Sequence, residues 1–205
     1  MNNSELNTEQ LILEAAKTEF FEKGYGNAKM MAIAKRANVA HSMLHYYFRS
    51  KENLFQTIFL KQIQTVLPIY ESVLEQRLCF TEIVRILMET QFNSMARDIK
   101  LSLFILTEIL ANKENRAMLS EVLTGKGINP FSKMIDIWDE EVKKGAIRPI
   151  PFQDFMMMLI SINASSFVAM PILEDINGLK EEAIENLLTE RRESNIQFIL
   201  GALQS

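Results

Sequence analysis

Apolar residues recur at spacings of three and four along almost the whole chain, and no stretch alternates with the period of two that a strand requires. The pattern predicts an all-α protein of about nine helices. A first helix is expected from about Thr8 to Lys23, with Gly24 as its stop and Ile12, Ala15, Ala16, Glu19 and Phe20 on one face. Two short helices follow, over about Lys29–Ala37 and Ala40–Tyr47. Met30, Ile33, Ala34 and Ala37 form the inner face of one, and Leu44 and Phe48 that of the other. Asn38-Val39-Ala40 separates them. Two short helices about a tight turn have the shape of a helix-turn-helix, whose second helix is built to lie in a DNA major groove.

Ser50 is placed to cap a long helix running from Lys51 to about Arg77, with Pro68 inside it to kink or break it. Beyond lie segments of helical period over about Thr81–Arg97, Lys100–Ala111, Asn115–Leu123, Phe131–Lys144, Phe152–Leu173 and Leu179–Leu203. The breaks between them fall at Gly125, Gly127 and Pro130, at Arg148-Pro149-Ile150-Pro151, and at Asn177-Gly178. The organisation expected is a DNA-binding head over residues 1–55 and a helical ligand-binding and dimerisation body over residues 56–205.

Charge sharpens the reading of the head. From Lys23 to Lys51 the cations are Lys23, Lys29, Lys35, Arg36, Arg49 and Lys51, with no Asp or Glu between them. Both histidines, His41 and His45, also fall here, in a chain whose formal charge is −4. Such a local basic island is what phosphate binding needs, because neutralised phosphates release counterions. Lys51 at a helix N-terminus adds free backbone amides to its own charge, a phosphate clamp.

The body offers less chemistry. Phe155 to Leu173 carries no charge, but Ser161, Asn163, Ser165, Ser166 and Pro171 make it a buried helix and not a membrane span. In the last helix Ile184, Leu187, Leu188, Arg191, Asn195, Phe198, Ile199 and Ala202 form a stripe that wants a partner, and Ala164, Ser165 and Ala169 before it are small enough for close approach. Two such helices from each of two subunits would close a four-helix bundle, the expected homodimer interface. Met88, Gln91, Phe92, Met95, Met134, Trp138, Asn163 and Phe167 are candidates to line a cavity for a small apolar or aromatic effector, with Phe104 and Met170 beside them.

What the residues exclude is also informative. The single cysteine, Cys79, rules out an internal disulfide, suits the cytoplasm and reads as a buried or inert thiol. The polar N-terminus is no signal peptide. His41 and His45 stand four apart, a spacing that can ligate a metal, but no Cys or carboxylate stands near to complete a site. No metal or cofactor is expected. There is no Gly-rich phosphate loop, no nucleophile elbow and no histidine in the body to act as a base, so the chain does not read as an enzyme.

Three segments, Ile12–Tyr25, Met30–Val39 and Met43–Phe55, together resemble the TetR family of bacterial transcriptional repressors in residues and in spacing. The resemblance covers about the first quarter of the chain. It implies a dimer with two DNA-binding heads that bind a pseudo-palindromic operator and are released when a small molecule fills the body. It implies that His41, Ser42 and Met43 read base edges, that Tyr46 reaches a base or thymine methyl, and that Lys29, His45, Tyr47 and Lys51 meet phosphates. Three departures stand out: Ala28 where the family has a capping Thr or Ser, Asn38 in place of the turn glycine, and His45 in place of a tyrosine. A protonated His45 can still meet a phosphate, so binding is expected to tighten toward lower pH. The competing reading is a helical small-molecule-binding protein that has lost specific DNA binding.

Overall fold

Gly24, at φ 71° and ψ 158°, breaks α1 (Asn3–Asn27) close to where the sequence places its stop, and the left-handed φ there costs a glycine little. The computed structural model describes residues 3–76, 78–124 and 130–204. Arg77 and the break at Gly125 and Gly127 lie outside the described residues. Helix α1 begins five residues before the expected Thr8, at Asn3. Helices α2 (Met30–Arg36) and α3 (His41–Tyr47) follow, and Asn38 takes the left-handed turn position at φ 54°, a backbone that Asn tolerates better than most residues. No strand occurs among the described residues.

The chain divides into two compact units: one runs to Gln64 and takes in Lys100–Ala117, and the other comprises Thr65–Ile99 and the residues from Met118 on. In the first, α4 (Lys51–Gln64) packs on α1, and α2 packs on both α1 and α3. Ser50 caps α4 as expected, accepting the Asn53 amide at 3.1 Å. An aromatic cluster fills the centre. Phe104, on α7 (Ile99–Ala111), stacks on Phe20 at 5.8 Å and meets Phe55 edge-on at 5.7 Å. Phe104 therefore belongs to this core and not to an effector cavity.

The long helix expected after Lys51 is two helices. It stops at Gln64 and resumes as α5 (Leu67–Glu75), with Pro68 in the first turn. There the missing N–H of proline would be unpaired in any case, so the residue starts a helix instead of kinking one.

Helices α8 (Lys113–Thr124), α9 (Pro130–Lys143), α10 (Phe152–Asn177) and α11 (Glu181–Leu203) complete the chain after α6 (Phe80–Arg97). Helix α6 is capped by Cys79 and not by Thr81: Glu82 accepts the Cys79 amide at 3.0 Å in a capping box. Cys79 is exposed, where a buried or inert thiol was expected.

In the second unit Phe80, Trp138, Phe152 and Phe155 form an aromatic core, and Trp138 stacks on Phe155 at 4.6 Å. Helix α10 passes through Pro171 and ends at Asn177, four residues beyond the expected Leu173, with Gly178 (φ 60°, ψ 40°) as its left-handed C-cap. It is the one helix among the described residues long and apolar enough to cross a membrane. Its inward face, however, packs on α6 and α11 through a hydrogen-bonded Asn163.

Candidate nucleic-acid interface

Helix α3 is too short to be stable alone. It is held by Leu44 and Phe48, which are 0% and 5% exposed, while one whole side of it faces outward. His41, Ser42, Met43, His45 and Tyr46 all lie on that exposed side, Tyr46 at 76%. The sequence-predicted reading residues are thus brought together on one surface. The His41 and His45 rings meet edge-on at 4.5 Å, and His45 Nδ1 lies 3.2 Å from Arg49 O. A carbonyl can only accept, so Nδ1 is the donor in this contact. Tyr47 is different: it is half-buried, with its ring lining a cleft beside Glu9, Asn53 and Gln56.

The basic island is smaller in space than in sequence. Arg36 Nη2 pairs with Glu22 at 2.6 Å and with the buried Glu19 at 3.4 Å, so two acids from α1 neutralise it. Lys51 turns inward, its Nζ 2.7 Å from Tyr25 O, 3.2 Å from Gly26 O and 3.2 Å from Ala28 O. Its ammonium is thus occupied by three backbone carbonyls. Lys23, Lys29, Lys35 and Arg49 are exposed and form no ion pair among the described residues. Arg49, between α3 and α4, is a candidate contact that the expected set omitted; its place in the acid-free stretch was the available signal.

The cap departure also shifts by one residue. Lys29, not Ala28, is the N-cap of α2, with extended backbone (φ −116°, ψ 132°) and no side-chain cap bond, while Ala28 is 4% exposed.

The effector candidates separate in space. An apolar cavity of ≈ 80 Å³ in the second unit is lined by Tyr70, Leu74, Leu87, Leu123, Met134, Phe152, Met156 and Leu159. Of the eight expected wall residues only Met134 is among them. Trp138 is core, its Nε1–H donating to Ile150 O at 3.3 Å. Met88, Phe92 and Phe167 are buried, with Phe92 against Phe167 at 4.7 Å. Asn163 is spent on the α6–α10–α11 contact, donating to Met88 O at 3.1 Å and to Gln91 Oε1 at 2.9 Å. Met95 is half-buried and lines no part of that cavity. The polar group at the cavity is the Tyr70 hydroxyl, 3.4 Å from Leu87 O, and burial pushes it above the ordinary phenol range, so it stays neutral. Helical phase hid this wall because its residues come from five different helices.

The interface candidates divide as well. Asn195 is 1% exposed and donates to Ile162 O, Asn163 Oδ1 and Ser166 Oγ, each at 3.1 Å. It binds α11 to its own α10 and is unavailable to a second chain. Ile184, Leu188, Ala164 and Ala169 are half-buried, and Arg191 and Phe198 are exposed, Phe198 at 65%. On α10, Met157, Ile160, Val168 and Ile172 are exposed apolar residues at helical spacing.

Residues 12–58 match the family model described as bacterial regulatory proteins, tetR family. The fatty acid metabolism regulator protein of Bacillus subtilis is 25% identical over 139 residues, which cover 67% of this chain and 69% of that protein. A TetR family transcription regulator from Marinobacter aquaeolei superposes with a TM-score of 0.73 at 18% identity, over 100% of both chains. The transcriptional regulator FadR from Bacillus subtilis, in complex with stearoyl-CoA, superposes with a TM-score of 0.67 at 21% identity, over 94% of this chain and 98% of that one. At such identities the two structures show the shared fold.

Proposed function

Because residues 12–58 make this chain a member of the tetR family of bacterial regulatory proteins, we propose that it is a dimeric, ligand-responsive repressor of transcription. Residues 1–55 bind a pseudo-palindromic double-stranded operator, and residues 56–205 sense an effector and hold the dimer. The protein works in the cytoplasm, where its operator is. The observation that carries this reading is the exposed side of α3, braced by Leu44 and Phe48 and flanked by exposed cations. His41, Ser42, Met43 and Tyr46 read bases, while Lys29, His45 and Tyr47 meet the backbone, with Arg49 added. Lys51 is left out of this set because its ammonium is already spent.

The body's role rests on two other features. The exposed apolar side of α10, with Phe198 and Arg191 of α11, is the surface that a second copy covers. The cavity beside Tyr70 offers apolar walls and one neutral hydroxyl, which suits a small apolar or aromatic effector and gives a charged group no counter-ion. The stearoyl-CoA held by the B. subtilis regulator puts a long acyl thioester on the list of ligands to try. The effector acts by binding the DNA-free state better than the operator-bound one.

A gel shift on the segment upstream of the protein's own reading frame, at two salt concentrations, tests the reading. A specific, salt-sensitive complex on half-sites spaced by whole helical turns, each about 34–36 Å, is expected. Equal affinity for any duplex would favour a helical small-molecule-binding protein without specific DNA recognition. Release of that complex by an acyl thioester or by small aromatic compounds would identify the effector class.

A further inference from the structure

Lys51 stands first in α4, and its side chain turns back onto the end of α1. The three carbonyls it reaches, from Tyr25, Gly26 and Ala28, belong to the turn between the Gly24 break and Lys29, the residue that starts α2. An ammonium has three N–H donors, and here all three have acceptors. Carbonyls at a helix end have no helical partner and attract a cation, so the site is electrostatically complete without a phosphate. The Tyr25 ring lies under the same ammonium, 4.6 Å from Nζ to the centroid, and is itself pinned edge-on against Phe55 at 5.3 Å. From α7, Glu108 also acts on this charge.

We infer that Lys51 is a positioning residue: it ties the turn from Tyr25 to Ala28 to the start of α4, and so sets where Lys29 and α2 stand, without touching DNA itself. Lys29 has no side-chain cap bond of its own, so the clamp supplies an anchor that the start of α2 otherwise lacks. The effect on operator binding rests on the repressor reading above; the clamp itself does not.

Lysine acetylation of the full chain, read by mass spectrometry with and without a duplex from its own upstream region, tests both parts separately. In the free protein Lys29 should acetylate readily and Lys51 slowly, and the duplex should protect Lys29 while leaving Lys51 unchanged. Lys51 reacting as fast as Lys29 in the free protein would overturn the clamp. If no duplex binds, the repressor reading fails while the free-protein result still judges the clamp. Lys51→Met should lower operator affinity tenfold or more with the same dependence on salt, whereas Lys29→Ala should lower the salt slope by about one. A slope reduced by about one in Lys51→Met, or an unchanged affinity, would overturn the positioning role. Should that variant fail to fold, acetylation of the unaltered chain decides.

Discussion

Arg36 on α2 is held by Glu22 on α1 at 2.6 Å, so a cation from the middle of the basic island is neutralised by an acid that precedes the island in sequence. The pair couples the first helix to the helix-turn-helix. Its guanidinium is more than a third exposed, so solvent screens the pair and it adds little to the stability of the head. Glu22→Gln should therefore barely move the unfolding midpoint. It should leave Arg36 only its longer contact to Glu19, make it more available to phosphate and raise affinity for any duplex, with a salt slope steeper by up to about one. Salt titrations of a non-operator duplex, variant against parent, check this.

Phe104 gives the second prediction. It is half-buried between Phe20 and Phe55, and Phe20 is fully buried. Phe104→Ala should destabilise the protein by about 2–4 kcal/mol, somewhat below the range for a fully buried ring. The loss should appear in urea unfolding, together with weaker operator binding. An effector-selective effect with unchanged stability would instead return Phe104 to the ligand site.

These two residues show why the head could be read from the sequence and its wiring could not. Helix-turn-helix positions are local: Leu44, Phe48 and Asn38 follow from spacing over some twenty residues, and the structure places them accordingly. Helical phase says which side of α7 is apolar, but not that Phe104 meets Phe20 rather than a cavity. Phase also cannot tell an inward stripe from one that awaits a partner, so Asn195 joined Phe198 in the expected interface while the fold buries one and exposes the other. Lys51 occupies the position its motif predicts, and only its flexible stem decides where the charge goes. The cavity wall was least legible, being assembled from five helices distant in sequence.

Asn163 and Asn195 form a buried pair in which each side chain is 1% exposed, and Asn195 Oδ1 has no partner among the described residues. Removing one partner leaves the other unsatisfied, at a cost of about 1–3 kcal/mol. Asn195→Leu alone should strand Asn163 Oδ1, whereas Asn163→Leu alone should cost the Asn195 amide only one of its three acceptors. The double variant should lose clearly less stability than the sum of the two, because two apolar groups of similar size need no hydrogen bonds. Additive losses in a denaturation cycle would show that the pair is not coupled.

Glu193 on α11 accepts from Arg85 of α6 at 2.9 Å and from Gln197 at 2.7 Å, and the Arg85 bond holds its carboxyl below the usual carboxylate range. A carboxyl depressed in the folded state stabilises it above the unfolded-state value, and that contribution is lost as pH falls through the folded value. The parent should thus melt above Glu193→Gln at about pH 7, and the gap should narrow as pH falls below the ordinary carboxylate range, about 4.3 for Glu. Melting curves of both proteins across that range provide the check; a gap that persists in acid would mean the pair does not act through charge.

The last prediction concerns the second copy that the reading head needs. One seven-residue helix reaches only a few base pairs, so discrimination against a genome of competing sites requires two heads at a fixed distance. Val168 is 54% exposed in the middle of the outward apolar side of α10, with the small residues Ala164 and Ser165 one turn before it. Val168→Glu keeps the inward face, and with it Asn163, Ser166 and Phe167, untouched, so the fold should survive with little change in unfolding midpoint. In a dimer closed through this side of α10 the same substitution would bury an unpaired carboxylate from each subunit, which is strongly unfavourable. Sedimentation should therefore show a monomer where the parent is a dimer. Operator affinity should fall far more than affinity for random duplex, because the phosphate contacts of each head remain while the spacing between heads is lost. A variant that stays dimeric would move the interface away from this side of α10, and a monomeric variant that still discriminates its operator would show that one head suffices.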